Sequence, residues 1–96
     1  MTGGNVNEFI DKLCYEDHYV LYNGSKYFFN GCRSKFDSNG KVVRVIPEIY
    51  DISNDKTLFS VQEAFAAECI EAFENSPIWD GKTFWAIEDQ MQWVDE

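Results

Sequence analysis

The stretch that decides the fold is HYVLYNGSKYFF, residues 18–29. Apolar, β-branched and aromatic side chains stand on both sides of Asn23-Gly24. That dipeptide takes the left-handed conformations a two-residue hairpin turn needs. The stretch therefore reads as two antiparallel strands, His18 to Tyr22 and Lys26 to Cys32. A second turn at Asp37-Ser-Asn39-Gly40 leads into KVVRVIPEIYDI, residues 41–52, as a third strand. Pro47 lacks a backbone donor and must sit at an edge, a bulge or a break.

Working outward, Asn5 or Asn7 can cap a short helix running to about Tyr15, with Phe9, Ile10, Leu13 and Cys14 on one face. Met1 to Asn5 reads as frayed. Downstream, Ser60-Val-Gln-Glu63 has the form of a capping box and predicts a helix to about Glu74. Its apolar stripe would be Val61, Phe65, Cys69, Ala72 and Phe73. Glu63, Glu71 and Glu74 fall on the other side, with Ile70 among them. Pro77 and Asp80-Gly81 break regular structure in FENSPIWDGKTFW, residues 73–85. A last helix from Lys82 or Thr83 to about Val94 then carries Phe84, Ile87, Met91 and Val94 at spacings of three and four. Trp79 has no periodic role; it either plugs the base of the core or is exposed as an anchor. The expected order is α-β-β-β-α-α, an α+β fold with a three-stranded antiparallel β-meander and about three helices in a single domain of 96 residues.

Charge narrows the function. The net charge is −9, and it is uneven. Residues 1–44 hold six bases and five acids, whereas residues 45–96 hold two bases, Lys56 and Lys82, and twelve acids. Direct binding of nucleic acid or an anionic membrane needs the opposite sign. No apolar run reaches membrane-spanning length. The N-terminal residues lack a basic region followed by an apolar run, and three scattered cysteines do not make a disulfide framework. The chain reads as cytoplasmic, in a bacterial host cell, with reduced thiols.

Catalytic chemistry finds little support. His18 is the only histidine. Cys14 and Cys69 lie on core stripes, and Cys32 is the thiol expected to be accessible, so a Cys32–His18 pair is the one thiol arrangement to weigh. No metal-ligand spacing occurs, and the Asp51–Asp55 turn lacks the glycine and glutamate of a calcium loop. Glu88 and Asp89 are adjacent and point about 100° apart on a helix, so they form no acid–base dyad. No enzyme and no cofactor are expected. A binding role is, with Ile70 and Trp79 as apolar anchors inside a rim of Glu63, Glu71, Glu74, Glu88 and Asp89, joined by Asp95 and Glu96 at the tail.

The short first helix, NG-turn strands, SVQEAFAAECIEAF (60–73) and Asp89-Gln-Met91-Gln92 after a Trp-containing connector give a layout that resembles small acidic phage-encoded anti-CRISPR proteins of the Cas9-inhibitor type. That resemblance rests on size, element order and charge, and no exact motif carries it. It implies a nucleic-acid mimic that blocks the basic surface of an effector nuclease. The closing pattern PIWDGKTFW…WVDE is also similar to accessory proteins of gut bacteria and their mobile elements. The alternative is accordingly a small interaction or immunity module that binds a protein partner through exposed aromatics.

Overall fold

A computed structural model describes residues 1–94. The fold is α+β, with six strands in one antiparallel sheet and three helices. Helix α1 (Val6–Leu13) is capped by Asn5, whose side-chain Oδ1 accepts from the N–H groups of Asn7 and Glu8. β1 (His18–Tyr22) and β2 (Ser25–Phe29) pair across the turn, with His18 opposite Phe29 and Tyr22 opposite Ser25. Asn23 and Gly24 both have positive φ, as that two-residue turn requires.

The sheet has six strands where the sequence suggested three. β3 (Arg33–Phe36) continues the line of β2, and both pair with β4 (Val42–Asp51). Between them the Gly31 N–H donates to Asp17 at 2.8 Å and the Cys32 N–H to the Leu13 carbonyl at 2.8 Å. These donors leave the β ladder for the end of α1 and the segment after it, and this divides one line of chain into two strands. β3 is exposed at every residue, so it lacks the alternation that betrays a half-buried strand.

β5 (Lys56–Glu63) and α2 (Ala66–Asn75) replace the helix expected from Ser60 to Glu74. The residues of the apparent capping box pair with β4, Val61 opposite Ile46 and Glu63 opposite Arg44. The open edge of a ten-residue strand offers more backbone hydrogen bonds than local helix formation can outweigh. The reciprocal capping bond forms later, where the Phe65 N–H donates to Glu68 at 3.1 Å. Pro47 lies within a register shift between Ile46 and Ile49, as a residue without a donor should.

The last predicted helix is also shortened. α3 spans Phe84–Ile87, a 3₁₀ turn covers Glu88–Gln90, and β6 (Gln92–Val94) pairs with the free edge of β1. The Trp93 N–H donates to the Thr2 carbonyl at 2.8 Å, and the Thr2 N–H to Met91 at 2.9 Å. Thr2, in the stretch expected to be frayed, is thereby hydrogen-bonded to Met91 and Trp93. Phe84, Ile87 and Met91 are buried as their spacing implied, yet only part of that stretch is helical.

One core joins these layers. Phe9 and Leu13 of α1, Val20, Tyr27, Phe29, Ile46 and Ile49 of the sheet, and Cys69, Ile70 and Phe73 of α2 meet Trp79, Phe84, Ile87 and Met91. Aromatic rings dominate it. Trp79 stacks on Phe29 with centroids 5.9 Å apart and meets Tyr27 and Phe73 edge-on at 6.1 and 6.5 Å. Offset and edge-to-face pairs of this kind add to the burial of their area.

Candidate functional site

The acidic residues of this half of the chain are carried mainly by α2, the corner after it and the 3₁₀ turn. Residues 63–89 contain seven carboxylates and one base, Lys82. Glu68 and Glu71 are exposed on α2, and Asp89 is exposed on the 3₁₀ turn. Glu63, Glu68 and Glu71 line a shallow groove of about 230 Å³ with Ala72 and Asn75. Two other carboxylates of the expected rim are engaged. Glu74 accepts from the indole N–H of Trp85 at 2.6 Å, and Glu88 pairs with the Met1 ammonium at 2.8 Å. Of the carboxylates expected on the rim, Glu71 and Asp89 are exposed, Glu63 is half-buried, and Glu74 and Glu88 are engaged within the chain. Asp95 and Glu96 lie outside the described residues.

Neither expected anchor reaches the surface. Ile70 is 6% exposed and Trp79 5%, both in the core. Ile70 is three residues from Phe73 and so shares the buried face of α2 with it and Cys69. Trp79 fills the space between the sheet and the corner against Phe29, Tyr27 and Phe73. The exposed tryptophan is Trp85, at 42%, packed edge-on to Phe84 and fixed by its bond to Glu74. Trp85 follows Phe84 by one residue, about 100° around the helix, and so falls beside the buried Phe84 and Ile87. Its tether to a helix eleven residues earlier is tertiary and has no sequence signal.

The thiols and the histidine separate. Cys32 and Cys69 are buried, and Cys14 is the more accessible, opposite to expectation. Burial, with Cys32 beside it, pushes the Cys69 thiol up to about 11; burial likewise raises Cys14. Such thiols stay protonated and unreactive near neutrality. His18 lies between Phe9 and Trp93 at ring distances of 4.5 and 4.7 Å. Burial lowers its pKa, against a hydrogen bond to the Phe9 backbone, and Nε2 has no partner among the described residues. Asp17 sits next to it in sequence. Burial works against its charge, but the Gly31 N–H and both bonds from Arg33 Nη2, at 2.7 Å each, hold its pKa below the usual value. These groups tie α1 and β1 to β3.

Among the described residues, no group of three or more His, Cys, Asp or Glu side chains could hold a metal ion. No helix is long and apolar enough to cross a membrane. Comparison with known proteins finds no matching family model, no matching curated protein and no matching solved structure.

Proposed function

We propose that this protein is a non-enzymatic inhibitor whose acidic surface, carried by α2 and the 3₁₀ turn, occupies a basic, nucleic-acid-binding groove of a bacterial effector nuclease. A CRISPR effector is the example that the resemblance in layout suggests. One observation carries the reading. Residues 63–89 set seven carboxylates against one base, Lys82, and one of those carboxylates, Glu74, fixes the exposed ring of Trp85. Repeated negative charge steers a basic partner, and a rigid aromatic supplies contact area at low entropic cost. In this reading Trp85 takes the anchoring role that Ile70 and Trp79 cannot fill. Cytoplasmic action in a bacterial host belongs to the same proposal.

The test is inhibition of a basic nuclease by the purified protein, followed along a salt series. Binding should weaken steeply with salt and compete with the nuclease's own nucleic acid. Reversing Glu71, Glu74 and Asp89 to lysine should abolish it while circular dichroism stays unchanged. Inhibition that survives the triple reversal would sink the proposal. The second reading, an interaction or immunity module of a mobile element, is favoured by the exposure of Trp85. It requires that Trp85→Ala remove binding and that salt have little effect.

A further inference from the structure

The core side of the sheet changes character toward the β1–β2 turn. Phe29, Ile49 and Phe59 stand opposite one another across β2, β4 and β5. The next row toward the turn runs Val20, Tyr27, Asp51 and Lys56 across β1, β2, β4 and β5. Opposed residues share a face of the sheet, so Asp51 and Lys56 lie on the side that buries Val20 and Phe29, where alternation calls for apolar residues. Trp79 packs on Phe29 and Tyr27. Beside it lies a cleft of about 440 Å³ lined by Tyr27, Asp51, Lys56 and Trp79. Three turns complete the walls, through Asn23 between β1 and β2, Asn54 between β4 and β5, and Asp80 in the corner. Asn23 and Asp80 have positive φ, as does Asp55 next to Asn54. Residues with side chains rarely adopt that conformation, and it recurs where ligands are held.

The charges of this cleft are not spent within the chain. Asp51 is 6% exposed, and its carboxylate accepts from Asn54, from the backbone N–H at 3.1 Å and the side-chain amide at 2.8 Å. Among the described residues, no ion pair engages Asp51, Lys56 or Asp80. A buried carboxylate without a cation is costly to keep. Trp79 also leaves its indole N–H without an acceptor among the described residues. Burial, and after it the Asp51 charge, raises the Tyr27 phenol, which therefore keeps its proton as a donor. The cleft thus sets two carboxylates, Asp51 and Asp80, and one ammonium, Lys56, among neutral hydrogen-bonding groups, and Leu58 and Ile78 add apolar lining. A ligand with only positive charge leaves Lys56 unmet. One with only negative charge meets two carboxylates. A small molecule with an ammonium, a carboxylate and an apolar group satisfies all of them.

We propose that this cleft binds a free α-amino acid with an apolar side chain, its ammonium on Asp51 and Asp80, its carboxylate on Lys56 and its side chain against Leu58 and Ile78. Glu71, Trp85 and Asp89 do not line the cleft, so the site goes beyond the inhibitor reading and does not depend on it.

Leucine is the probe, titrated into isotope-labelled protein and followed by nuclear magnetic resonance. The backbone amides of Tyr27, Asn54, Lys56 and Asp80 should shift together and saturate below about 10 mM leucine. Leucinamide lacks the carboxylate and stands for the N-terminus of a peptide. N-acetylleucine lacks the ammonium and stands for a C-terminus. Each should bind about tenfold more weakly than leucine. Lys56→Gln should weaken leucine about tenfold and leave leucinamide unchanged, whereas Asp80→Asn should weaken both. Lys56 and Asp80 are exposed, and asparagine tolerates the positive φ at position 80, so circular dichroism should stay unchanged in both variants. Leucine that causes no saturable shift at these residues overturns the proposal. So does leucinamide binding as tightly as leucine, which marks a site for amines alone. Lys56→Gln without effect on leucine overturns it as well.

Discussion

The corner from Phe73 to Trp85 and the arm of β3 with the start of β4 are built on opposite plans. The corner is largely irregular, yet it buries Phe73, Trp79 and Phe84. The arm is regular hairpin, yet every residue of β3 is exposed. Regular backbone and contribution to stability are therefore separate in this molecule. The rings hold the corner in place; backbone pairing, the Arg33–Asp17 ion pair and the bonds to the Asp37 carboxylate hold the arm.

Substitutions should reproduce that contrast, and the largest effect should fall on the corner. Trp79→Ala should cost about 3–5 kcal/mol, a large part of the stability of a domain this size, measured by urea unfolding. Trp79→Phe should cost clearly less, because the buried indole N–H has no acceptor among the described residues and its loss breaks no bond. If Trp79→Ala costs no more than an exposed ring does, the contrast fails.

Gly31→Ala comes next, at the root of the arm. A Cβ there would lie 2.5 Å from the Glu16 carbonyl oxygen, a backbone atom that cannot swing away. The expected cost is about 1–3 kcal/mol. A neutral result would mean that the segment after α1 does not brace the arm.

The pH profile probes the same boundary. Cys69 keeps its proton in the folded state up to about 11, against 9.0 ordinarily. Between those values the unfolded chain holds fewer protons, so stability should fall as pH rises through that window. The raised thiol of Cys14 and the raised phenol of Tyr27 act in the same direction. His18 behaves oppositely, with a folded pKa below 6.5. Its contribution is complete above that value and is lost as pH falls below it, where the unfolded chain binds the extra proton. Melting temperature against pH should decline on both sides, and Cys69→Ala should flatten the alkaline limb.

The smallest effect belongs to the arm. Phe36→Ser should change monomer stability by no more than about 0.5 kcal/mol, since the ring has little to lose to solvent. A cost comparable to that of Trp79→Ala would show that the arm is packed after all.

Legibility followed the same division. The Asn23-Gly24 hairpin, the α1 face, an irregularity at Pro47 and the burial of Phe84, Ile87 and Met91 could be read because each depends on neighbours in sequence, on a missing donor or on a turn residue's φ. β3, β5 and β6 could not. β3 has no alternation, the residues of β5 mimic a capping box, and those of β6 continue a helical spacing. Each is a strand because a partner edge lay open beside it. The candidate site divides similarly: the acids were visible, while Trp85 in place of Trp79 and Ile70 was not.

By itself, then, the sequence determined an α+β chain with an acidic C-terminal half and an aromatic-rich core, because composition and local turn geometry travel with the residues. Only the tertiary structure decided which edges of the sheet were filled, which carboxylates were tethered and which tryptophan faced solvent. Those outcomes depend on backbone groups and rings far apart in sequence finding partners, and an unpaired edge or an exposed ring costs more than a local preference can repay.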